Sequence, residues 1–328
     1  MNRVLALTLG DRYGVGPELV AKLLAALPEV PNRHIVLVGD ARVFERGRGV
    51  ADEPSAYPQI GSLADARTAT ASWSFLDRPF AAEVTPIGRV SAEAGREALD
   101  TLAMLAAASL SGEIDGIVYA PLNKQAMREA GHAAGDEAEY FAQCFAHTAP
   151  FGEINILGEV WTSRVTSHVP LRDVGDLITT DNVMRGIRLL AVALQRGGKT
   201  PRLAVAALNP HAGEGGAFGR EEIDVLAPAI AEARAEGLDV EGPFPSDTVF
   251  PRAVSGAFNG VVTMFHDQGQ IALKMVGLGQ GVTLLGGFPV PIATPGHGTA
   301  FDIAGKGIAK VDGLAAATAL VSRMIAQG

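Results

Sequence analysis

The chain has almost no thiol: Cys144 is the single cysteine in 328 residues. That excludes an internal disulfide and leaves no cysteine spacing for a metal. It is also short of positive charge. Lys and Arg number 27 against 36 Asp and Glu, a net charge of −9. With no basic cluster, nucleic-acid binding is excluded as a primary role. Long apolar runs are missing too. No uninterrupted stretch reaches the ~18 residues that suggest a membrane span. The opening Met1–Gly10 segment has about six apolar residues before a Gly-Asp turn, too few for a signal-peptide core. It is expected to be a first strand, and the protein to be cytoplasmic. The 39 Gly and 19 Pro show no Gly-X-Y period and fall short of the density that marks disorder.

What is present is ordinary apolar content, 48%, with 19% charged residues. That suits a large core, and at roughly 150 residues per domain the length suggests two lobes. Short apolar runs alternate with helical patterns. Strands are expected at Val4–Leu9, His34–Val38, Gly116–Ala120, Leu203–Leu208 and Gly260–Phe265, with Glu153–Gly158 and Ser163–Ser167 as a pair. Helices are expected at Pro17–Leu27, Ser91–Leu110, Asn123–Ala130, Asp181–Gln195, Arg220–Glu236 and Leu314–Ala326. The alternation predicts an α/β fold with mostly parallel sheet. The Gly/Pro/Ala-rich stretch 277–300 reads as a long functional loop.

Three of the seven histidines are placed alike. His168, His211 and His266 each follow the end of a predicted strand. In a parallel sheet those ends share the edge where ligands bind. Three imidazoles there suit a divalent metal with positions left open for water or substrate. Spacing alone leaves a second reading open, three unrelated loop histidines. Gly10-Asp-Arg-Tyr-Gly-Val-Gly16-Pro17-Glu18 is a glycine-rich strand-to-helix turn with Pro17 at the first helical position. It is no P-loop, since no Gly-Lys-Ser/Thr follows.

The segment His297-Gly298-Thr299-Ala300-Phe-Asp302 resembles the cofactor loop of isocitrate and isopropylmalate dehydrogenases, as does the Gly-Val-Gly-Pro-Glu turn around Gly14. From end to end the chain resembles the 4-hydroxythreonine-4-phosphate dehydrogenase (PdxA) family. The carrying segments are Gly10–Glu18, Ser91–Gly95, Ala120–Lys124, His168–Asp173, Asn209–Gly216, Gly242–Thr248, Met264–Gly269 and His297–Gly307. The resemblance implies a two-lobed α/β/α subunit with the active site in the interdomain cleft. The lobes would be about 1–130 plus 270–328 on the cofactor side, and 131–269 on the metal and dimer side. It implies a homodimer, and a divalent metal (zinc, cobalt, nickel, manganese or magnesium) on His168, His211 and His266, the last given across the dimer interface. It implies NAD bound by Gly14 and the 297–302 loop, Asp302 facing the ribose. The substrate would carry a secondary alcohol β to a carboxylate, oxidised with decarboxylation.

Asp247 and Asp267 are candidates to orient imidazoles, or are plain capping carboxylates. Lys124 and Lys274 are candidate charge partners of the substrate. The family's phosphate contacts are altered. Its His-Thr pair aligns with Glu137-Ala138 within Gly135–Phe141, and its Asn and Arg align with Thr283 and Ile292. No Lys or Arg stands between Lys274 and Lys306, nor between Arg128 and Arg164. A phosphate monoester wants several donors and cations. The sequence therefore predicts an unphosphorylated hydroxy acid or dihydrodiol carboxylate. The alternatives are the pyridoxal phosphate pathway enzyme, a phosphotransacetylase-like acyltransferase, and a catalytically inactive binding protein.

Overall fold

The computed structural model describes residues 1–53, 56–132, 136–277 and 280–327. The chain divides into two compact units, Met1–Thr148 with Phe288–Gly328, and Ala149–Gly287. Both changeovers lie further along the chain than the 130 and 270 boundaries expected from sequence.

The first unit holds five parallel strands: β1 (Arg3–Thr8), β2 (Arg33–Gly39), β3 (Trp73–Asp77), β4 (Gly116–Tyr119) and, from the far end of the chain, β11 (Ile292–Pro295). Their order is β3-β2-β1-β4-β11. Val4–Leu7 of β1 and Ile35–Val38 of β2 are fully buried, the near-continuous apolar reading of strands covered on both faces. The helix Asp312–Gln327 packs on β1, β4 and β11. Ser91 caps the helix Ala92–Leu110, its hydroxyl accepting from Ala94 N.

The second unit contains β5 (Gly152–Leu157), β6 (Val160–Arg164), β7 (Leu203–Ala206), β8 (Val240–Phe244), β9 (Gly260–Thr263) and β10 (Val282–Gly286). Their order is β10-β5-β6-β9-β7-β8. β5 runs antiparallel to β10 and β6, whereas β6, β9, β7 and β8 are mutually parallel. Two helices take opposite faces of β6 and β9. Gly186 of the helix Thr180–Arg196 lies against Ser163 and Val262, and Gly269 of the helix His266–Val276 against Thr162 and Thr263. Alternate strand residues point to opposite faces, which gives this unit its three layers.

The expected 277–300 loop is corrected here. It contains β10 and β11, whose partners β5 and β4 stand far away in sequence. Residues 278 and 279 of that stretch lie outside the described residues. The expected helix Arg220–Glu236 opens as a π-type turn, Glu222–Leu226, before the α-helix Ala227–Ala235.

Candidate active site

Each chemistry-bearing segment of the second unit leaves the same sheet edge. β6, β9, β7 and β8 stand side by side and parallel, and past their C-terminal ends come His168, His266, His211 and Asp247 in that order. Strand-end placement read from sequence is thus what the sheet shows.

The rings of His168 and His266 lie 5.9 Å apart between centroids. Both line a cavity of about 320 Å³ with Thr166, Leu171, Phe265 and Asp267. The His266 Nδ1–H donates to Asp267 Oδ1 at 2.7 Å, which leaves the ring's lone pair on Nε2. Asp247 is exposed in the first turn of the helix Ser246–Val254. Sequence reasoning passed over its neighbours. Gln268 accepts from Met264 N (2.7 Å) and donates to Ala207 O (2.9 Å) and Ser246 Oγ (3.0 Å), so one amide ties the ends of β9, β7 and β8 together. His211 does not join the other two histidines. Among the described residues, no group of three or more His, Cys, Asp or Glu is arranged to hold a metal within one chain.

Two of the three histidines occupy left-handed backbone, His168 at φ 52° and His211 at φ 54°. His211 begins a full left-handed turn: Ala212, Gly213, Glu214 and Gly215 follow at φ 53°, 77°, 44° and 64°. For the non-glycine residues this costs about 1–2 kcal/mol each. Such strain persists only where the surroundings enforce it, and it clusters at functional sites. At the root of this turn stands Glu222, whose carboxylate accepts from Leu208 N, Asn209 N and Asn209 Nδ2.

A polar cluster lies on the sheet face that carries the helix His266–Val276. Arg164 is largely buried and ion-paired with Glu153. It donates to Asn155 Oδ1 (2.8 Å) and, through Nε, to Ser167 Oγ (2.9 Å), beside His168. Asn155 donates to Thr283 Oγ1 (3.2 Å), and Gln270, one turn after His266, donates to Asn155 Oδ1 (2.6 Å). Thr283 is therefore part of a hydrogen-bonded cluster. Lys274, one turn beyond Gln270, is exposed.

In the first unit the Gly10–Glu18 turn and the 297–309 loop are joined. Val15 N donates to Thr299 O at 3.0 Å. A Cβ on Gly14 would stand 2.9 Å from Thr299 Cβ and O, so only glycine permits this approach. Glu18 accepts from Gly305 N (2.9 Å), and Lys22 donates to Gly307 O (2.7 Å) and Ala309 O (2.9 Å). Ala300 is left-handed at φ 44°. Gly298 faces open space, His297 is half-buried and Asp302 is exposed. Ile292 is fully buried in β11 with no surface open to a ligand.

Arg12 of the same turn is buried with its charge answered twice, by Asp40 (3.0 Å) and Glu97 (2.6 Å). Burial pushes the Glu97 carboxyl up to about 7 against the pull of Arg12. Burial likewise raises Asp11 to about 6. Burial opposes the Asp40 charge as well, but hydrogen bonds from Arg42, Phe80 N and Arg12 outweigh it and hold that carboxyl well below the usual range.

Gly135 of the 135–141 segment lies outside the described residues; the remainder is a helix, Glu137–Cys144, capped by Asp136. Its first turn carries Glu137 and Glu139. Glu137 Oε2 lies 3.4 Å from Lys124 Nζ, and Ala138 is buried. A helix N-terminus that otherwise favours an anion is filled here by the chain's own carboxylates.

This mostly parallel α/β chain has the isocitrate dehydrogenase-like fold, and its relatives make it a dehydrogenase. More narrowly, the chain belongs to the family of the pyridoxal phosphate biosynthetic protein PdxA, whose model matches residues 31–321. It is 40% identical to D-threonate 4-phosphate dehydrogenase of Bordetella bronchiseptica, across 94% of this chain and 89% of the relative. It is 39% identical to 4-hydroxythreonine-4-phosphate dehydrogenase of Beijerinckia indica, across 99% and 96%. The crystal structure of 4-hydroxythreonine-4-phosphate dehydrogenase from Klebsiella pneumoniae superposes with TM-score 0.84 at 35% identity, covering 99% of this chain and 100% of that one. A terephthalate 1,2-cis-dihydrodiol dehydrogenase from Burkholderia xenovorans superposes with TM-score 0.68 at 28% identity, covering 98% of both. No helix among the described residues is long and apolar enough to cross a membrane.

Proposed function

We propose that the chain is a metal- and NAD-dependent dehydrogenase that oxidises a secondary alcohol β to a carboxylate, with loss of CO2, on an unphosphorylated hydroxy acid. The observation that carries it is the row of His168, His266 and His211 past three adjacent parallel strands, two of them in strained backbone. Imidazole nitrogens suit zinc, cobalt or nickel, and also manganese or magnesium where substrate oxygens complete the shell. The donor set, three imidazoles past adjacent strand ends, suits such an ion by its chemistry, and His168 and His266 open on one cavity. Such an ion, held by these histidines, would supply Lewis acidity to the substrate's oxygen atoms. Bound NAD supplies the hydride acceptor.

The chain's own groups orient and select. Asp267 keeps the proton on His266 Nδ1. The Gln268 and Ser246 hydrogen bonds fix the loops from which the histidines project. Gly14 and the 297–302 loop receive the dinucleotide. Asp302 accepts from a ribose 2′-hydroxyl and repels a 2′-phosphate, which favours NAD over NADP. Lys274 pairs with a substrate carboxylate. With NAD as oxidant the enzyme belongs in the cytoplasm.

His168 and His211 come from one chain and His266 from a second copy. Ile271 and Met275, one turn apart on the helix that starts at His266, are 63% and 82% exposed. An apolar stripe this open, continuous with the site, supports a homodimer with shared sites.

The substrate reading rests on the pair Lys124–Glu137 and the carboxylates of that first turn, which repel a phosphate dianion. Glu137 suits a hydroxyl or ammonium group. The dihydrodiol dehydrogenase likeness favours the same reading. The names of the two relatives at about 40% identity favour a second, a four-carbon phosphate ester. The deciding experiment measures NAD reduction with added zinc or manganese on 4-hydroxythreonine-4-phosphate, D-threonate 4-phosphate, their unphosphorylated analogues and a cis-dihydrodiol carboxylate. The expected outcome is higher kcat/KM without phosphate. Turnover of a phosphate ester above ~10⁴ M⁻¹s⁻¹ and well ahead of its analogue reverses the assignment.

A further inference from the structure

We infer that Glu222 is the positioning residue of His211: its buried carboxylate fixes the root of the left-handed turn from which that imidazole projects. The inference rests on the reading of His211 as a metal ligand.

Glu222 is only 3% exposed. Its Oε1 accepts from Leu208 N at 2.9 Å and Asn209 N at 2.7 Å. Its Oε2 accepts from Asn209 Nδ2 at 3.0 Å, a group that Glu221 Oε2 also takes at 2.7 Å. These donors are amides without charge. The adjacent cation, Arg220, is engaged by Asp224 at 2.9 and 2.8 Å. A carboxylate sunk among neutral donors is expensive to keep.

What it secures is specific. Leu208 and Asn209 link β7 to the turn, and His211 stands two residues beyond Asn209. The carboxylate also meets the turn at its middle, because a Cβ on Gly213 would stand 2.7 Å from Glu222 Oε2. One side chain thus bonds the root of the turn and lies against its middle. Beyond the turn's own helical bonds, Phe218 N donates to Gly213 O and Ala217 N to Glu214 O and Gly213 O, on its far side. Glu222 itself opens the π-type turn Glu222–Leu226. Such turns are rare and occur often at functional sites. Groups that orient a ligand are worth about 10–100-fold in metal affinity.

The test is zinc(II) affinity of the full-length protein, by competition with a chromophoric chelator, for wild type, Glu222→Ala, Glu222→Gln and His211→Ala. Circular dichroism and the thermal midpoint of each metal-free protein are recorded alongside. Glu222→Ala is expected to bind zinc about 10–100-fold more weakly at a temperature where it is fully folded. Glu222→Gln keeps a carbonyl oxygen for Leu208 N and Asn209 N but sets a donor against Asn209 Nδ2. It is expected to fall between Ala and wild type, a graded loss that a merely structural role does not produce. Should Glu222→Ala fail to fold, Glu222→Gln decides, and wild-type affinity in it overturns the inference. Folded Glu222→Ala with wild-type affinity, beside a His211→Ala that loses zinc, sinks the role of Glu222 and leaves the metal site standing. Unchanged affinity in His211→Ala sinks both.

Discussion

Arg12 shows what one buried side chain asks of its neighbours. Its guanidinium is fully enclosed, ion-paired with Asp40 and Glu97, and donates to Ala82 O (2.7 Å) and Glu83 O (3.0 Å). The two carboxylates titrate in opposite directions, so pH separates them. Glu97 and Asp11 hold protons in the folded state that the unfolded chain has already released. Between about pH 4.5 and 7 the unfolded state binds fewer protons, and stability falls with rising pH, by about 1.4 kcal/mol per pH unit for each such group within its window. Asp40 has the contrary sign: its contribution is present above the ordinary carboxylate range and is lost as pH falls below about 4. Thermal unfolding midpoints are expected to peak in mildly acid solution and decline towards pH 7.5. Glu97→Gln should flatten that decline; an unchanged slope would mean the proton sits elsewhere.

At the scale of elements, the joined turn and loop of the first unit make a sharp prediction. Gly14 has ordinary backbone, so space alone forbids a side chain there. Gly14→Ala forces the Gly10–Glu18 turn away from Thr299, an overpacking worth about 1–3 kcal/mol. KM for NAD is expected to rise about tenfold or more, with little change in the far-ultraviolet circular dichroism. A wild-type KM would show that the 297–302 loop does not carry the dinucleotide.

The strand-end histidines were legible because short apolar runs closed by Gly, Pro or Asn mark parallel strands locally. The left-handed turn at His211 was not. Gly213, Gly215 and Gly216 hint at a turn, but nothing local marks His211, Ala212 and Glu214 for positive φ, and Glu222, which bonds the root of the turn, comes later in the chain. The Arg164 cluster was hidden for a similar reason. A count of cations along the chain shows a gap running from Arg128 up to Arg164, whereas strand pairing sets Arg164 against Glu153, Asn155 and, through Asn155, Thr283. The two strands inside 277–300 were masked by their own Gly and Pro. Their partners are named only by the fold.

For the whole molecule, the exposed stripe of Ile271 and Met275 sets oligomeric state against catalysis. A double substitution, Ile271→Glu with Met275→Glu, touches neither histidine nor loop. It is expected to shift sedimentation from dimer to monomer and to lower zinc content together. Monomers with full zinc would place all three ligands in one chain.

The path of the backbone has its own outcome during translation. The second unit is one continuous segment, 149–287, whereas the first is opened by residues 1–148 and closed only by 288–328. β11 pairs with β4, Ile292 beside Ile117, and the helix Asp312–Gln327 covers β1, β4 and β11. On the ribosome, the segment made second has all its strands before the segment made first. Until the last stretch emerges, β4 presents an open edge and apolar β1 lacks its cover, the condition in which nascent chains are held by chaperones and aggregate without them. A late frameshift or stop codon in this gene would therefore spoil the half that was synthesised earliest.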